Sequence, residues 1–396
     1  ATFTAVSGEG YFCNTSGGAF TVNLPSSPSV GDIVAIKDYA GTFSSNNLTI
    51  GRGGSNMNGS AADSARSTDN ESLTMVYADA TKGWLAVEEG TGFIGEAFIE
   101  ATGGTITTTG NCKIHTFTGP GTFSVTKVSN CSANNVVSHL VVAGGGSGGN
   151  AKDGLNGAAG GAGAGGYREV KSPVTPYTAS PLDGYPSSPN RVTVTAQDYP
   201  ITVGAGAANR STDGPGTAGS DSIFSTITAA GGGAGGRGSP GSDLNGGSGG
   251  GSSCAGSAGT GNQPPVSPPQ GNPGGTIHSP GTPNMVSAGG GGAGAAGGNG
   301  SPGGPAGPGG AGVTSSISNS PTAYAGGGGG GGNNGETGGG TGGSGGGGAG
   351  GDFPLTPGTA GTANTGGGGG ASASGPGSAT SGAGGSGIVI IRYKYQ

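Results

Sequence analysis

Hydrophobic and polar residues alternate in several short stretches of the first 90 residues. In "AFTVNLP", the apolar residues Phe20, Val22 and Leu24 fall on one face of a predicted strand. "DIVAIKDY", "NLTIG", "SLTMVYA" and "GWLAVEE" follow, with Gly, Asn, Ser and Asp between them. A period of two that is interrupted by turn residues is typical of antiparallel strands. We therefore predict an N-terminal antiparallel β module over residues 1–90, with Trp84 in its core.

A second β region follows a linker predicted at 91–104. "CKIHTFTGPGTFSVTKV" predicts a hairpin with its turn at "TGPGT". "VVSHLVVA" has apolar residues on both faces, which indicates a buried strand, and "RVTVTA", "YPITVG" and "DSIFSTITAA" predict further strands. Strands within 113–143 and at 387–395 would frame a glycine-rich domain, 105–396. We expect 387–395 to pair with 136–143 in one small sheet.

Glycine dominates the segment between these framing strands. Of the 102 glycines in the 396 residues, 19 lie in 1–143 and 83 in 144–396. Collagen requires Gly at every third position, and "AGGGGGGGNNGETGGGTGG" breaks that register. Disordered chains are usually rich in charge, whereas only 9% of these residues are charged. A flexible linker remains an alternative, because a lone glycine run has no side chain to bury.

The repetition of the glycine runs favours an ordered arrangement. Polyglycine can adopt an extended helix with three residues per turn, and helices without Cβ atoms can pack side by side. Their N–H and C=O groups would then bond between helices, which satisfies the buried backbone. The predicted fold is therefore mainly β with little or no α-helix. It consists of an antiparallel N-terminal module and a small β-sandwich with an inserted polyglycine-II helix bundle.

Charged residues are few and scattered singly, with a formal net charge of −6. No run of Lys or Arg is present, which argues against binding to nucleic acid or to an anionic membrane surface. No apolar run approaches the roughly 20 residues of a membrane-spanning helix, and "ATFTAVSGEGYF" lacks the features of a secretory signal. We expect a soluble protein without membrane insertion, delivered outside the cell by another route if it is extracellular.

No combination of residues indicates catalysis, a cofactor site or a metal site. GxGxxG-like and GxSxG-like stretches recur, but the strand–turn–helix context that gives them chemical meaning is missing. His115 and His139 lie on predicted strands, which favours structural roles. We expect neither enzymatic activity nor a bound cofactor.

The four cysteines, Cys13, Cys112, Cys131 and Cys254, show no metal-ligand spacing. Cys112 and Cys131 flank the predicted hairpin and would face each other across its open end. A disulfide between them is one interpretation, and two small buried thiols are the other.

Several stretches together resemble a class of viral proteins. "IHTFTGPGTFSV", "HLVVAGGGSGG", "GGAGAGGYREV" and the closing "GGSGIVIIRY" are similar to the glycine-rich domain at the C-terminus of tail-fibre and appendage proteins of marine bacteriophages. "FTAVSGEGYFCNTSGGAFTVNLP" resembles a module of such virion proteins, notably in phages of cyanobacteria. A more distant likeness is to the glycine-rich domain of certain animal receptor kinases. The likeness to the phage proteins covers nearly the whole chain, but a long fibrous shaft is missing.

This resemblance implies an outward-facing virion component on the extracellular particle surface, made in the host cytoplasm. Its partners would be other virion proteins and a host cell-surface glycan or outer-membrane protein. Fibres of this kind are usually homotrimers, although no heptad segment specifies a trimer here. Two alternatives stay open. One is a structural appendage or connector without receptor binding, and the other is a cellular surface or extracellular matrix protein.

Recognition by a glycine scaffold would come from the loops between its helices, where side chains are concentrated. The loop 167–200 carries most of them, and 262–285 and 315–324 are shorter candidates. Tyr and Arg combine large contact area with hydrogen bonding, which suits glycan and protein surfaces. For each loop, the alternative is a cap that only closes the bundle. The candidate receptor-binding residues are Tyr167, Arg168, Lys171, Tyr177, Tyr185, His278 and Tyr324.

Overall fold

The structure is a computed structural model, and it describes residues 1–90, 97–151, 157–237, 242–253, 257–277, 287–301, 304–333, 338–375, 377 and 379–396. The chain divides into two compact units, Ala1–Glu96 and Ala97–Gln396. The boundary therefore lies inside the segment predicted as a linker. Ile99 is buried in the second unit, so the described part of that segment, 97–104, belongs to the glycine-rich domain.

Within its described residues, 1–90, the first unit contains eight strands: β1 Phe3–Thr4, β2 Glu9–Cys13, β3 Phe20–Asn23, β4 Ile33–Asp38, β5 Leu48–Gly51, β6 Ser64–Arg66, β7 Ser72–Asp79 and β8 Gly83–Gly90. They form two sheets, with strand orders β1-β3-β5-β6 and β2-β4-β7-β8. The alternating apolar residues of both sheets meet in one core that includes Val22, Val34, Leu48 and Met75. Trp84 is 1% exposed, which confirms its predicted burial.

The prediction of a purely antiparallel first module is wrong for three strand pairs. β1 pairs with β3, β3 with β5 and β2 with β4, all in parallel. The reason is the path of the chain. It leaves the sheet of β2, contributes β3 to the other sheet, and returns as β4 in its original direction. Alternation alone does not distinguish such a crossover from a hairpin, because both give a half-buried strand.

The second unit contains thirteen strands among its described residues: β9 Glu100–Thr102, β10 Thr105–Thr109, β11 Cys112–Phe117, β12 Gly121–Lys127, β13 Val136–Val142, β14 Tyr167–Val170, β15 Val192–Thr193, β16 Asp198–Thr202, β17 Ser222–Phe224, β18 Ile227–Ala229, β19 Val313–Ser315, β20 Thr322–Tyr324 and β21 Ile388–Lys394. Three short 3₁₀ helices, Ser132–Asn135, Ser188–Asn190 and Ser242–Leu244, are the only helices in the described part of the chain apart from the glycine helices below. The mainly β prediction is confirmed.

Two sheets form the sandwich of this unit. We name the sheet β10-β11-β21-β13-β14 the framing sheet, and the sheet β18-β17-β16-β12-β9 the outer sheet. Phe123, Val141, Phe224 and Ile391 pack in the core between them. Strands β13 and β21 pair antiparallel, with Leu140 opposite Ile390, so the predicted pairing of 136–143 with 387–395 is confirmed.

The predicted hairpin of β11 and β12 is wrong. β11 pairs with β10 and β21 in the framing sheet, whereas β12 pairs with β9 and β16 in the outer sheet. "TGPGT" therefore carries the chain from one layer to the other. Phe117 and Phe123, on either side of this connection, both pack in the core between the layers. Each strand thus buries its apolar face against the opposite sheet.

The glycine run 144–150, which continues β13, has a threefold hydrogen-bonding pattern. Every third amide donates to carbonyls of the same neighbouring run, at 2.9–3.1 Å. The neighbour is 214–220 for residues 144, 147 and 150. It is 382–385 for residues 145 and 148, and 160–163 for residues 146 and 149. None of residues 144–150 has a positive φ. Three successive directions in an extended backbone define a helix with three residues per turn. The predicted polyglycine helices are therefore present.

The run 160–166, which leads into β14, lies inside the bundle. Its amides donate to three neighbouring runs, 230–236, 288–291 and 366–369. Its carbonyls accept from three other segments, 143–149, 248–251 and the run that contains Gly328. Six neighbours around one helix correspond to hexagonal packing. Every amide of this run, and six of its seven carbonyls, therefore bond to other backbone groups without the help of side chains.

The packing leaves no space for side chains at many positions. A Cβ at Gly163 would lie 2.1 Å from the carbonyl oxygen of Ser248, and one at Gly328 would lie 2.1 Å from that of Gly369. Ala159 and Ala162 mark positions where a methyl group is accommodated, and both are fully buried. The sequence of small residues is thus a steric requirement of the bundle.

Hydrogen exchange checks the order of the bundle. We expect the amides of 160–166 to exchange at least about a thousandfold more slowly than in an unfolded chain, because opening them breaks bonds to three neighbouring runs at once. Exchange measured by mass spectrometry on peptic peptides gives the protection. Exchange at the unfolded rate would show that the glycine runs are flexible linkers.

Substitution of Gly163 checks the steric requirement. We expect Gly163→Ala to lower the free energy of unfolding by about 3 kcal/mol, because the new methyl group overlaps the Ser248 carbonyl. Calorimetric thermal unfolding measures this change. Gly119→Ala is the matched control, since a Cβ there meets no atom within 4 Å, and it should change stability by less than about 0.5 kcal/mol. Equal effects of both substitutions would contradict the packing.

Candidate functional site

The described parts of the three loops predicted for recognition come together over the face of the framing sheet that points away from the outer sheet. We name this arrangement the loop cap; its segments are 171–190, 262–273 and 313–324. Val313, Ile317 and Tyr324 of the cap pack against Leu140 and Ile390 of the framing sheet. The cap therefore closes a second apolar core of the glycine-rich domain.

A buried carboxylate, Glu169 of β14, joins two segments of the cap. The hydroxyl groups of Tyr167 and Ser315 donate to its oxygens at 2.6 and 2.5 Å, and the amide of Ser180 donates at 2.9 Å. Burial, reinforced by the nearby Glu169 carboxylate, raises the pKa of Tyr167. Because three donors satisfy a carboxylate that is 2% exposed, its role here is to hold the loops in place.

A buried guanidinium, Arg392 of β21, fixes the same loops from the opposite direction. Its Nη2 donates to the carbonyl of Pro176 at 2.7 Å, and its Nη1 donates to that of Ile317 at 3.3 Å. Its guanidinium carbon also lies 5.2 Å from the centroid of the Tyr177 ring. The final strand of the domain thereby positions both 171–190 and the loop of the β19–β20 hairpin.

Asn190 and Gln270 attach the proline-rich segment 262–273. The side-chain nitrogen of Asn190 donates to the main-chain carbonyl of Ser267 at 2.8 Å. The side-chain oxygen of Asn190 accepts a hydrogen bond from the Arg168 guanidinium at 2.7 Å. The carbonyl of Gln270 accepts from the amide of Tyr167 at 2.9 Å. All three segments of the loop cap are therefore held by specific hydrogen bonds.

The structure corrects two of the candidate binding residues. Tyr167 is 1% exposed and Tyr324 is 3% exposed, because both rings fill the core beneath the cap. Neither ring is available to a partner. Arg168, Lys171, Tyr177 and Tyr185 are half-buried. His278 lies outside the described residues.

The outward surface of the loop cap combines proline with two cation–aromatic pairs. The Arg191 guanidinium lies 4.3 Å from the Tyr185 ring centroid, and the Lys171 ammonium lies 5.8 Å from that of Tyr177. Half-buried pairs of this kind present polar edges beside flat apolar faces. The exposed prolines are Pro173, Pro176, Pro181, Pro186, Pro189, Pro264, Pro265, Pro269, Pro273 and Pro321.

The interior below the cap is too tight for a substrate. The gap between His139, Arg168, Glu169 and Asn190 has no room for a water molecule. Among the described residues, no group of three or more His, Cys, Asp or Glu is arranged to hold a metal ion. Within the same residues, no helix is long and apolar enough to span a membrane. The residues that sequence reasoning selected thus form a structural support with a narrow outward surface.

The predicted disulfide between Cys112 and Cys131 is not formed. Cys112 is a buried free thiol and Cys131 is an exposed one. The physical reason is the topology described above. Because β11 and β12 belong to different sheets, their outer ends do not face each other as they would in a hairpin.

The opposite end of the glycine bundle carries a polar cluster that sequence reasoning missed. The side chain of Asn150, which is fully buried, donates to the carbonyls of Arg210 and Ala379 at 2.7 and 2.8 Å. Arg237 forms an ion pair with Asp213 at 2.9 Å. The sequence feature that could have predicted this cluster is the short polar stretch "NRSTDG" within the glycine-rich segment. Loops at both ends of the helices are therefore fixed.

The pH dependence of stability checks the burial of His139. Burial, reinforced by the positive charge of Arg168, lowers the pKa of His139 from 6.5 to about 3. The unfolded chain gains a proton below pH 6.5 that the folded chain does not, so stability falls as the pH drops towards 3. We expect the neutral, buried His139 to lower the free energy of unfolding by about 2 kcal/mol at pH 5 relative to pH 8. Urea unfolding at both values measures this cost.

His139→Phe is the control for this pH dependence. Phenylalanine retains packing against Phe224, whose ring lies 5.7 Å away, and it removes the titrating group. The difference in stability between the two pH values should therefore be about 2 kcal/mol smaller in this variant. An unchanged difference would contradict a buried, neutral His139.

Comparison with known proteins agrees with this architecture. The family described as "Glycine-rich domain" matches residues 116–394. The match begins within β11 and ends at the last residue of β21, so it contains the glycine helices and the strands that frame them. No curated protein matches the chain. Since the matched region exceeds half of the sequence, the chain belongs to the glycine-rich domain family.

Proposed function

We propose that the chain is an outward-facing appendage of a bacteriophage particle, which attaches to a host cell surface through loops held by the glycine-helix bundle. The observation that carries this proposal is the hydrogen-bonded lattice around 160–166, since it fixes loops at both ends of the bundle. A rigid scaffold lowers the entropy that a binding loop loses on contact. The resemblance of both parts of the sequence to marine phage appendage proteins supports the same assignment.

The surface of the loop cap supplies the proposed contact chemistry. Tyr185 beside Arg191, and Tyr177 beside Lys171, offer aromatic faces next to hydrogen-bond donors. Sugars bind such faces through their C–H groups while their hydroxyls bond to the donors. A cell-surface glycan is therefore the favoured ligand, and an outer-membrane protein is the second.

The first unit is proposed to dock on other virion proteins. Phe12 on β2 is 76% exposed and Tyr39 after β4 is 68% exposed, and their ring centroids lie 6.5 Å apart. Two adjacent exposed aromatic rings are typical of protein interfaces. Assembly as a homotrimer is part of this proposal, and light scattering of the full chain measures it.

Binding of the fluorescently labelled full chain to a panel of marine cyanobacterial strains tests the attachment. We expect saturable binding to a subset of strains. The double substitution Lys171→Glu with Tyr185→Ser should reduce the bound protein about tenfold or more, since it removes one cation and one aromatic face. Lys127→Glu is the control, because the exposed residue Lys127 lies at the end of β12, outside the loop cap, and that variant should bind like the native chain.

Two results would overturn attachment through the loop cap. One is a folded chain that binds none of the strains, which would leave a structural appendage or connector as the function. The other is equal binding by the native chain and the double variant, which would move the contact surface elsewhere on the protein.

A further inference from the structure

The first unit contains an open groove that the proposed attachment does not use. Strand β6 is at one edge of the first sheet, and β8 is at one edge of the second. Between them lies a groove of about 780 Å³. This volume falls within the range of roughly 300–1,000 Å³ that is usual for ligand sites.

The groove has an apolar floor and a polar rim. Its floor is formed by core residues of both sheets, including Ile50, Leu73 and Trp84. Asn58 and Asp63 lie on its rim. A ligand would therefore bury apolar groups at the floor while polar groups stay near water at the rim.

The groove also reaches the backbone edge of β8. It is lined by four consecutive residues, Trp84 to Val87. Side chains alternate between the faces of a strand, so contact with consecutive residues means that the main chain itself is exposed to the groove. The edge of β8 is thus accessible as well as one of its faces.

Backbone hydrogen bonds along the outer edge of β8 are formed at Trp84 but, within the described part of this unit, do not continue beyond it. The Trp84 amide donates to the Asn56 carbonyl and the Asn58 amide donates to the Trp84 carbonyl, both at 2.9 Å. Among the described residues, pairing on this side of β8 ends at Trp84. Ala86, two residues further, directs its N–H and C=O the same way by the two-residue period of a strand. An incoming strand would continue this pairing.

Trp84 supplies a second, independent indication of a ligand. Its ring is 1% exposed, and its indole Nε1 has no hydrogen-bond partner among the described residues. Indole nitrogen is only a donor, and a buried donor without an acceptor costs about 1–3 kcal/mol. An acceptor brought by a ligand in the groove would remove this cost.

We propose that the groove binds an extended segment of a partner protein as an added β-strand. The segment pairs with the free edge of β8 at Ala86, and one of its carbonyl groups accepts the indole N–H of Trp84. Its alternate side chains are apolar and pack on Leu73 and Ile50, and its other side chains face the rim. This site lies in the first unit and does not depend on the loop cap.

The observations favour a peptide over other ligands. A sugar would stack on an exposed aromatic face, but the Trp84 ring is almost fully covered. A lipid chain would fill the apolar floor, but it offers no partner for the strand edge or for the indole N–H. Only a polypeptide provides both backbone acceptors and alternate apolar groups.

The test uses the full chain and a library of random linear decapeptides displayed on filamentous phage. Ala62→Arg places a long cationic side chain in the groove, since the exposed residue Ala62 lines it. Ala65→Arg is the matched control, because Ala65 is exposed on β6 but does not line the groove. We expect peptides to be enriched at least about tenfold on the native and Ala65→Arg proteins relative to the Ala62→Arg protein.

Trp84 provides a direct readout because it is the only tryptophan in the chain. Selected peptides should shift its fluorescence saturably in the native protein. Ala86→Pro removes the edge N–H and should weaken their binding about tenfold or more. Methylating the backbone nitrogens of a selected peptide should have the same effect, and this measurement requires no variant protein.

Several outcomes would overturn the proposal. Equal enrichment on the native and Ala62→Arg proteins, or no enrichment on the native protein, would show that the groove takes no peptide. A fluorescence response to cellohexaose or to decyl maltoside, without a response to peptides, would assign the groove to a sugar or a lipid. Self-association of the full chain that Ala62→Arg abolishes would identify a second copy as the occupant.

Discussion

The close approach of backbones that lack a Cβ is the constraint on which the glycine-rich domain depends. The carbonyl oxygen of Ser248 lies only 2.1 Å from the position that a Cβ on Gly163 would take. This proximity lets each run bond to neighbours in three directions, and those bonds offset the large entropy that glycine loses on ordering. The same constraint excludes large side chains from the body of the bundle, where the buried side chains include those of Ala162 and Ser248. Chemical diversity is therefore confined to the loops at its two ends.

The framing sheet provides the ends that such a bundle needs. β13 leads directly into the run 144–150, the run 160–166 leads directly into β14, and a further run precedes β21. These three strands are hydrogen-bonded neighbours in one sheet and are buried on both faces. Several glycine helices consequently start in register, because the sheet sets their spacing and direction before the first glycine.

Much of this architecture follows from local sequence patterns. Period-two alternation identified β3, β4 and β7, and the doubly apolar pattern of "VVSHLVVA" identified a strand buried on both faces. Repeated glycine runs between such strands led to the polyglycine helices. These successes share a cause, since each depends on a period that the backbone geometry imposes on neighbouring residues.

The errors arose where the answer depended on distant partners. β11 and β12 have the pattern of a hairpin, but each pairs with strands from other parts of the chain. The same holds for the parallel pairs of the first unit. Tyr167 and Tyr324 were selected because tyrosine is frequent in binding loops, yet both rings fill the core beneath the loop cap. The groove between β6 and β8 has no local signature, because it exists only where two sheet edges lie side by side.

The threefold helix sets a rule for how the length of this domain can change during evolution. Inserting three residues in one run and three in the run that returns beside it lengthens both by one turn, about 9 Å. Every amide then still faces the neighbour it faced before. Inserting one or two residues turns the rest of the run by a third of a circle or two thirds, so its bonds are directed at the wrong neighbours. The glycine runs of this family should therefore differ in length by multiples of three residues, whereas the loops at either end can vary freely in length.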